Sequence, residues 1–93
     1  MPEVYVQIIW PNEAPDRVYS PSSIIKNYFK TGDVLTVEQF QNKADEALLN
    51  ASKRVKEKFG FECTSAMGEM ERLKEITDKI ENKNLKVRII NVE

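Results

Sequence analysis

Histidine is missing from this chain of 93 residues, and cysteine occurs once. Histidine is the commonest general base near neutral pH and the commonest metal ligand. Without it, and with a single thiol, the usual zinc sets and any Cys–His dyad are excluded. Three glycines, widely separated, build no phosphate-cradling loop. No apolar run approaches the ~18 residues that would suggest a membrane span. Positive charge is not in surplus either. Fourteen Lys and Arg stand against fifteen Asp and Glu, a net of −1, whereas a protein living on phosphates needs an excess of cations to displace counterions. Met1-Pro2-Glu3-Val4 has no basic n-region or long apolar h-region, so no signal peptide is predicted. An unpaired Cys63 then points to a reducing, cytoplasmic setting. No catalytic residue, metal or cofactor is expected from this inventory.

What remains is the composition of a globular chain, 41% hydrophobic and 31% charged, and one α+β domain over residues 1–93 is the expectation. Val4, Val6, Ile8 and Trp10 alternate with Tyr5, Gln7 and Ile9, the period of two that marks a strand. Pro11 stops it, Asn12-Glu13-Ala14-Pro15 reads as a turn, and Asp16 to Tyr19 as a short return strand. Ser20-Pro21-Ser22-Ser23 reads as a helix start, with serine at the cap and proline at the first helical position. Ile24, Ile25, Tyr28 and Phe29 follow as a short stripe that Thr31-Gly32-Asp33 ends.

Thr36-Val37-Glu38-Gln39 is a capping box, with Leu35 and Phe40 spaced as a hydrophobic staple. A long helix follows to Phe59, ended by Gly60 and Phe61 as a Schellman stop. A second helix starts at Thr64-Ser65 and buries Ala66, Met67, Met70, Leu73, Ile76 or Thr77, and Ile80, with Gly68 expected to approach the Ala44, Ala47 and Ala51 stripe. Leu85, Val87 and Ile89 close the chain as a last strand. The expected order is β-β-α-α-α-β, a three-stranded sheet ordered 2-1-3. The last strand is parallel to the first, through a right-handed crossover, and the helices cover one face.

Four features carry possible chemistry. Cys63 stands at a helix start, where the dipole favours a thiolate and Ser65 with free N–H groups could hold an anion. As a bland alternative, it is a small residue filling the turn. Ser20 and Ser22 at the earlier helix start are either part of an anion site or simply caps. Lys53, Arg54, Lys56 and Lys58 read as a solvated turn that complements a helix C-terminus, rather than as a nucleic-acid patch. Trp10 either closes the core or anchors an interface. Tyr5, Ile9, Ile90 and Val92 fall on the sheet face that the helices leave bare, and a half-apolar bare face often marks a partner or dimer surface.

Trp10-Pro11, Tyr19-Ser20-Pro21-Ser22 with Lys26 and Tyr28, Ala51-Ser52 with Arg54-Val55, and Phe59-Gly60-Phe61-Glu62-Cys63-Thr64-Ser65-Ala66 stand in one order. Over residues 1 to 90 this resembles the small bacterial nitrogen-starvation-response proteins encoded in gene clusters with a nitrilase. The resemblance implies a pathway setting shared with a radical-SAM protein and an acetyltransferase-like protein, and no activity. Ser20, Ser22, Arg54, Gly60 and Cys63 match as motif positions. The chain departs in two places: relatives often have Asp-Gly after Trp-Pro, where Asn12-Glu13-Ala14-Pro15 stands here, and often have Cys before the Tyr-Ser-Pro-Ser block, where Val18 stands, so no two-thiol chemistry is implied. The leading expectation is a non-catalytic accessory or interaction protein, bound to other cluster products or to itself. The alternative is a small-molecule or anion-binding protein using Ser20, Ser22, Arg54, Cys63 and Ser65. Neither nucleic acid nor membrane is an expected partner.

Overall fold

The computed structural model describes residues 3–60 and 64–93. Strands β1 (Val4–Ile9) and β2 (Pro15–Ser20) form the expected hairpin. Trp10 to Ala14 make its turn: the Glu13 N–H donates to the Trp10 carbonyl at 2.8 Å, and the Trp10 N–H to the Ala14 carbonyl at 2.9 Å. Glu13 takes the left-handed conformation, φ 69°. Beyond it, Ser20 to Ser22 lead into a 3-10 helix, Ser23–Asn27, in place of the predicted α-helix. The apolar stripe there is one turn long, too short to repay the cost of an α-helical nucleus.

A strand absent from the sequence reading comes next, β3 (Val34–Thr36). Helix α1 (Val37–Phe59) then starts on the capping box: the Gln39 N–H donates to Thr36 Oγ1 at 3.1 Å, and the Thr36 N–H to Gln39 Oε1 at 3.1 Å. Gly60 ends it at φ 78°, its N–H donating to the Lys56 carbonyl at 2.7 Å, while the Phe61 half of the expected stop lies outside the described residues. Helix α2 (Thr64–Asp78) and strand β4 (Lys86–Val92) complete the order. Lys83 donates its ammonium to the Thr77 carbonyl, placing a cation at the C-terminal end of α2.

The sheet has four strands, ordered β2-β1-β4-β3, with every neighbouring pair antiparallel. This corrects the expected three-stranded sheet with a parallel last strand. The reason is the end of the sheet from which β4 leaves. The N–H of Val37, first residue of α1, donates to the Leu85 carbonyl at 2.9 Å, and that of Glu38 to the Lys83 carbonyl at 3.3 Å. The α1–α2 hairpin therefore returns the chain to the end where β3 finished, and β4 runs back against β3. The same two bonds satisfy donors that a helix start leaves unpaired.

Both helices and the 3-10 turn pack on one face of the sheet. Val4, Val6 and Ile8 of β1, Val18 of β2 and Val87 and Ile89 of β4 meet Ile25, Phe29, Phe40, Leu48 and Leu73, all nearly fully buried. Spacings of three and four predict a buried α1 stripe of Val37, Phe40, Ala44, Ala47, Leu48, Ala51, Val55 and Phe59; the first seven are inside, and the Phe59 side chain lies outside the described residues. Two expectations for α2 fail. Met67 is exposed, and Gly68 faces open space, with nothing within 4 Å of the position its Cβ would take. The alanine stripe therefore gains nothing from Gly68.

Candidate functional site

The edge strand β2 presents a row of backbone groups to solvent, and α2 covers them with side chains. Glu69 Oε2 accepts from the Tyr19 N–H at 2.9 Å, and Arg72 Nη2 donates to the Arg17 carbonyl at 2.8 Å. The carboxylate and guanidinium thus occupy the places of an acceptor and a donor on a neighbouring strand. The two are joined, Arg72 Nε to Glu69 Oε1 at 2.7 Å, and Arg72 Nη1 continues to Asp16 Oδ2 at 2.8 Å. Trp10 Nε1 donates to the same Asp16 oxygen at 3.0 Å, and the Arg17 N–H to Asp16 Oδ1 at 2.7 Å. Burial pushes the Asp16 carboxyl up, but the bonds from Arg72, Trp10 and the Arg17 N–H outweigh it and hold its pKa below the usual value. Arg72 is driven the opposite way, its charge favoured by Glu69 first and also by Asp16, against partial burial. This cluster is a lock between helix and sheet. It blunts an edge that would otherwise template pairing.

Two surfaces remain available. The first is the sheet face away from the helices. Tyr5 and Tyr19 are cross-strand partners whose rings meet edge-on at 5.7 Å, and the Arg17 guanidinium lies 4.7 Å from the centre of the Tyr5 ring. Ile9 is half-buried there and Ile90 is 45% exposed. A shallow depression of about 340 Å³ opens among Ile9, Arg17 and Ile90. It lies where the β1–β4 register shifts at Gln7/Ile8. That bulge also moves Val92. The strict alternation of β4 puts Val92 beside Ile90, but with one residue added Val92 pairs with Val6 and packs on the core. Tyr5, Ile9 and Ile90 thus share the bare face, whereas Val92 does not.

The second surface is a groove of about 580 Å³ between the hairpin turn, the end of α2 and the segment before β4. Trp10 is at its wall, 5% exposed and packed edge-on against Phe40 at 5.3 Å. Trp10 is therefore a core residue with one side on the groove, and no part of the bare sheet face. Ile76, Lys79, Ile80 and Leu85 line the groove opposite it. The sequence pattern predicts Ile80 as buried and Leu85 as part of the last strand, and gives Lys79 no role. Only the β4 reversal brings them beside the turn.

The predicted anion residues are not brought together. The Ser20 hydroxyl donates to the Ser22 carbonyl at 2.7 Å and accepts from the Ser22 N–H at 3.3 Å. Ser22, not Ser20, caps the 3-10 helix, its Oγ accepting from the Ile24 N–H at 3.4 Å. Both serines are buried and engaged with their own backbone. Arg54 is exposed on α1, as is Lys53. Cys63 and the Ser65 side chain lie outside the described residues. Among the described residues no group of three or more His, Cys, Asp or Glu is placed to hold a metal ion, and no helix is long and apolar enough to cross a membrane.

Fold and surfaces together define a small α+β protein whose antiparallel sheet is armoured by helices on one face and, among the described residues, bare on the other. The chain belongs to the NitG family of nitrogen starvation-induced proteins, whose family model matches residues 5–92. Neither the curated proteins nor the solved structures provide a match.

Proposed function

We propose that this nitrogen starvation-induced protein acts as a non-catalytic accessory, docking another protein of the same response on its bare sheet face. Products of a nitrilase gene cluster are the first partners to test. The observation that carries the reading is the chemistry of that face. Aliphatic Ile9 and Ile90 and Arg17 line one depression, and Arg17 carries the surface on to the paired rings of Tyr5 and Tyr19. Aromatic residues and arginine are enriched where interfaces bind, and apolar surface left bare in water favours burial. The complementary partner presents an apolar side chain for the Ile9–Ile90 depression, with a carboxylate beside it for Arg17.

The test is recovery of partners from nitrogen-starved cells by the tagged wild-type chain and by Ile90→Glu, read by mass spectrometry. Ile90 is exposed, so the substitution leaves the core intact. A protein recovered in stoichiometric amount by the wild type and lost with Ile90→Glu supports docking there. Equal recovery by both chains, or recovery of the chain alone, overturns it.

A further inference from the structure

We infer that the groove beside Trp10 is a binding site for a small amphipathic carboxylate, an apolar body of aryl or short alkyl kind carrying one anionic end. The site is separate from the docking proposal and does not rest on it. Its volume, about 580 Å³, falls within the range of small-molecule sites, roughly 300–1,000 Å³. Trp10, Pro11, Pro15, Ile76, Ile80 and Leu85 give it apolar walls. Leu85 is 44% exposed, an apolar surface that a ligand would cover.

The polar groups fix the sign of the ligand. Asp16 reaches the groove, but its charge is already matched by Arg72, and both its oxygens accept bonds from Arg72, Trp10 and the Arg17 N–H. A cationic ligand would have to compete with that guanidinium. Lys79, also in the wall, enters no ion pair among the described residues. Asn12 uses its Oδ1 to accept from the Ala14 N–H at 3.1 Å, which turns its amide group into a fixed part of the turn and leaves Nδ2 as a donor. An ammonium and an amide donor without partners among the described residues, set on an apolar groove, suit a carboxylate.

Trp10 is the chain's one tryptophan and lines the groove, so its fluorescence reports occupancy directly. The probes are 3-phenylpropionate and its neutral amide, titrated into the full-length protein, with two-dimensional NMR to map the residues that shift. The expected result is a saturable change with the carboxylate, shifts at residues 11–15 and 76–80, and binding about fivefold weaker for the amide. Lys79→Met should weaken the carboxylate by a similar factor and leave the amide unchanged, while Lys79→Arg keeps the preference. No saturable response to the carboxylate, or equal binding of carboxylate and amide, overturns the inference. Ile90→Glu leaves the titration intact, so failure here and failure of the docking role are distinct results.

Discussion

Glu13 occupies a backbone conformation that suits glycine. At φ 69° a side chain crowds the following carbonyl, at a cost of roughly 1–2 kcal/mol that glycine does not incur. Its compensation is the 2.6 Å ion pair with Arg88, but both side chains are largely exposed and such pairs contribute about 0–1 kcal/mol. Glu13→Gly is therefore expected to raise stability by about 0.5–1 kcal/mol, measured by urea unfolding. Unchanged or lower stability would show that the ion pair outweighs the strain. Gly68 offers a second case with a different cause. It lies inside α2 with open space around it, so Gly68→Ala should stabilise by about 1 kcal/mol through helix propensity alone. A loss on the same measurement would mean that the helix approaches another surface there.

Between α2 and β2, the balance rests on Arg72. Removing it leaves Glu69 and Asp16 without their cation and uncovers the Arg17 carbonyl. Arg72→Met should cost about 1–2 kcal/mol, the guanidinium being partly solvated, and should speed amide exchange at Tyr19. A wild-type exchange rate at Tyr19 in the variant would contradict the lock. Asp16 gives this lock a pH dependence. Its folded pKa lies below the ordinary aspartate value, so the unfolded chain takes up a proton first on acidification. The contribution is complete above the unfolded pKa and is lost as pH falls through the folded one. Acid titration of stability should therefore be less steep in Asp16→Asn than in the wild type; identical acid slopes would remove Asp16 from the account.

Local signals in the sequence translated directly into elements. Thr36 and Gln39 announce α1 because both halves of a capping box lie within one turn, and Val4 to Trp10 announce β1 because alternation is a property of neighbours. Three residues of β3 carry no period long enough to read. The direction of β4 depends on bonds from Val37 and Glu38 to a loop more than forty positions away, and the place of Val92 depends on a bulge defined by the partner strand. Of the site, Tyr5, Ile9 and Ile90 were legible by alternation. Glu69 and Arg72 have the spacing of a helical ion pair, a visible signal, but their target on β2 is a tertiary fact. Lys79 and Leu85 join Trp10 only through the corrected sheet order.

At the scale of the molecule, the helices, the 3-10 turn and the inner faces of β1, β2 and β4 share one core, and the described residues leave the opposite sheet face uncovered. The two edges are handled differently: β2 is covered by Glu69 and Arg72, and β3 is three residues long. Short or covered edges disfavour strand-to-strand addition, so association is expected through side chains on the face. Ile90→Glu should consequently leave stability within about 0.5 kcal/mol of wild type while abolishing partner recovery. A destabilisation of several kcal/mol would instead place Ile90 in the fold's own packing.

The central claim, that the bare face is where this protein meets its partner, is tested most directly by replacing Ile90 with a photo-crosslinking benzoylphenylalanine in nitrogen-starved cells, with the same group at exposed Lys53 on α1 as the comparison. The account predicts a discrete adduct from position 90 to another protein, and none from position 53. Adducts from position 53 alone, or from neither, would contradict it.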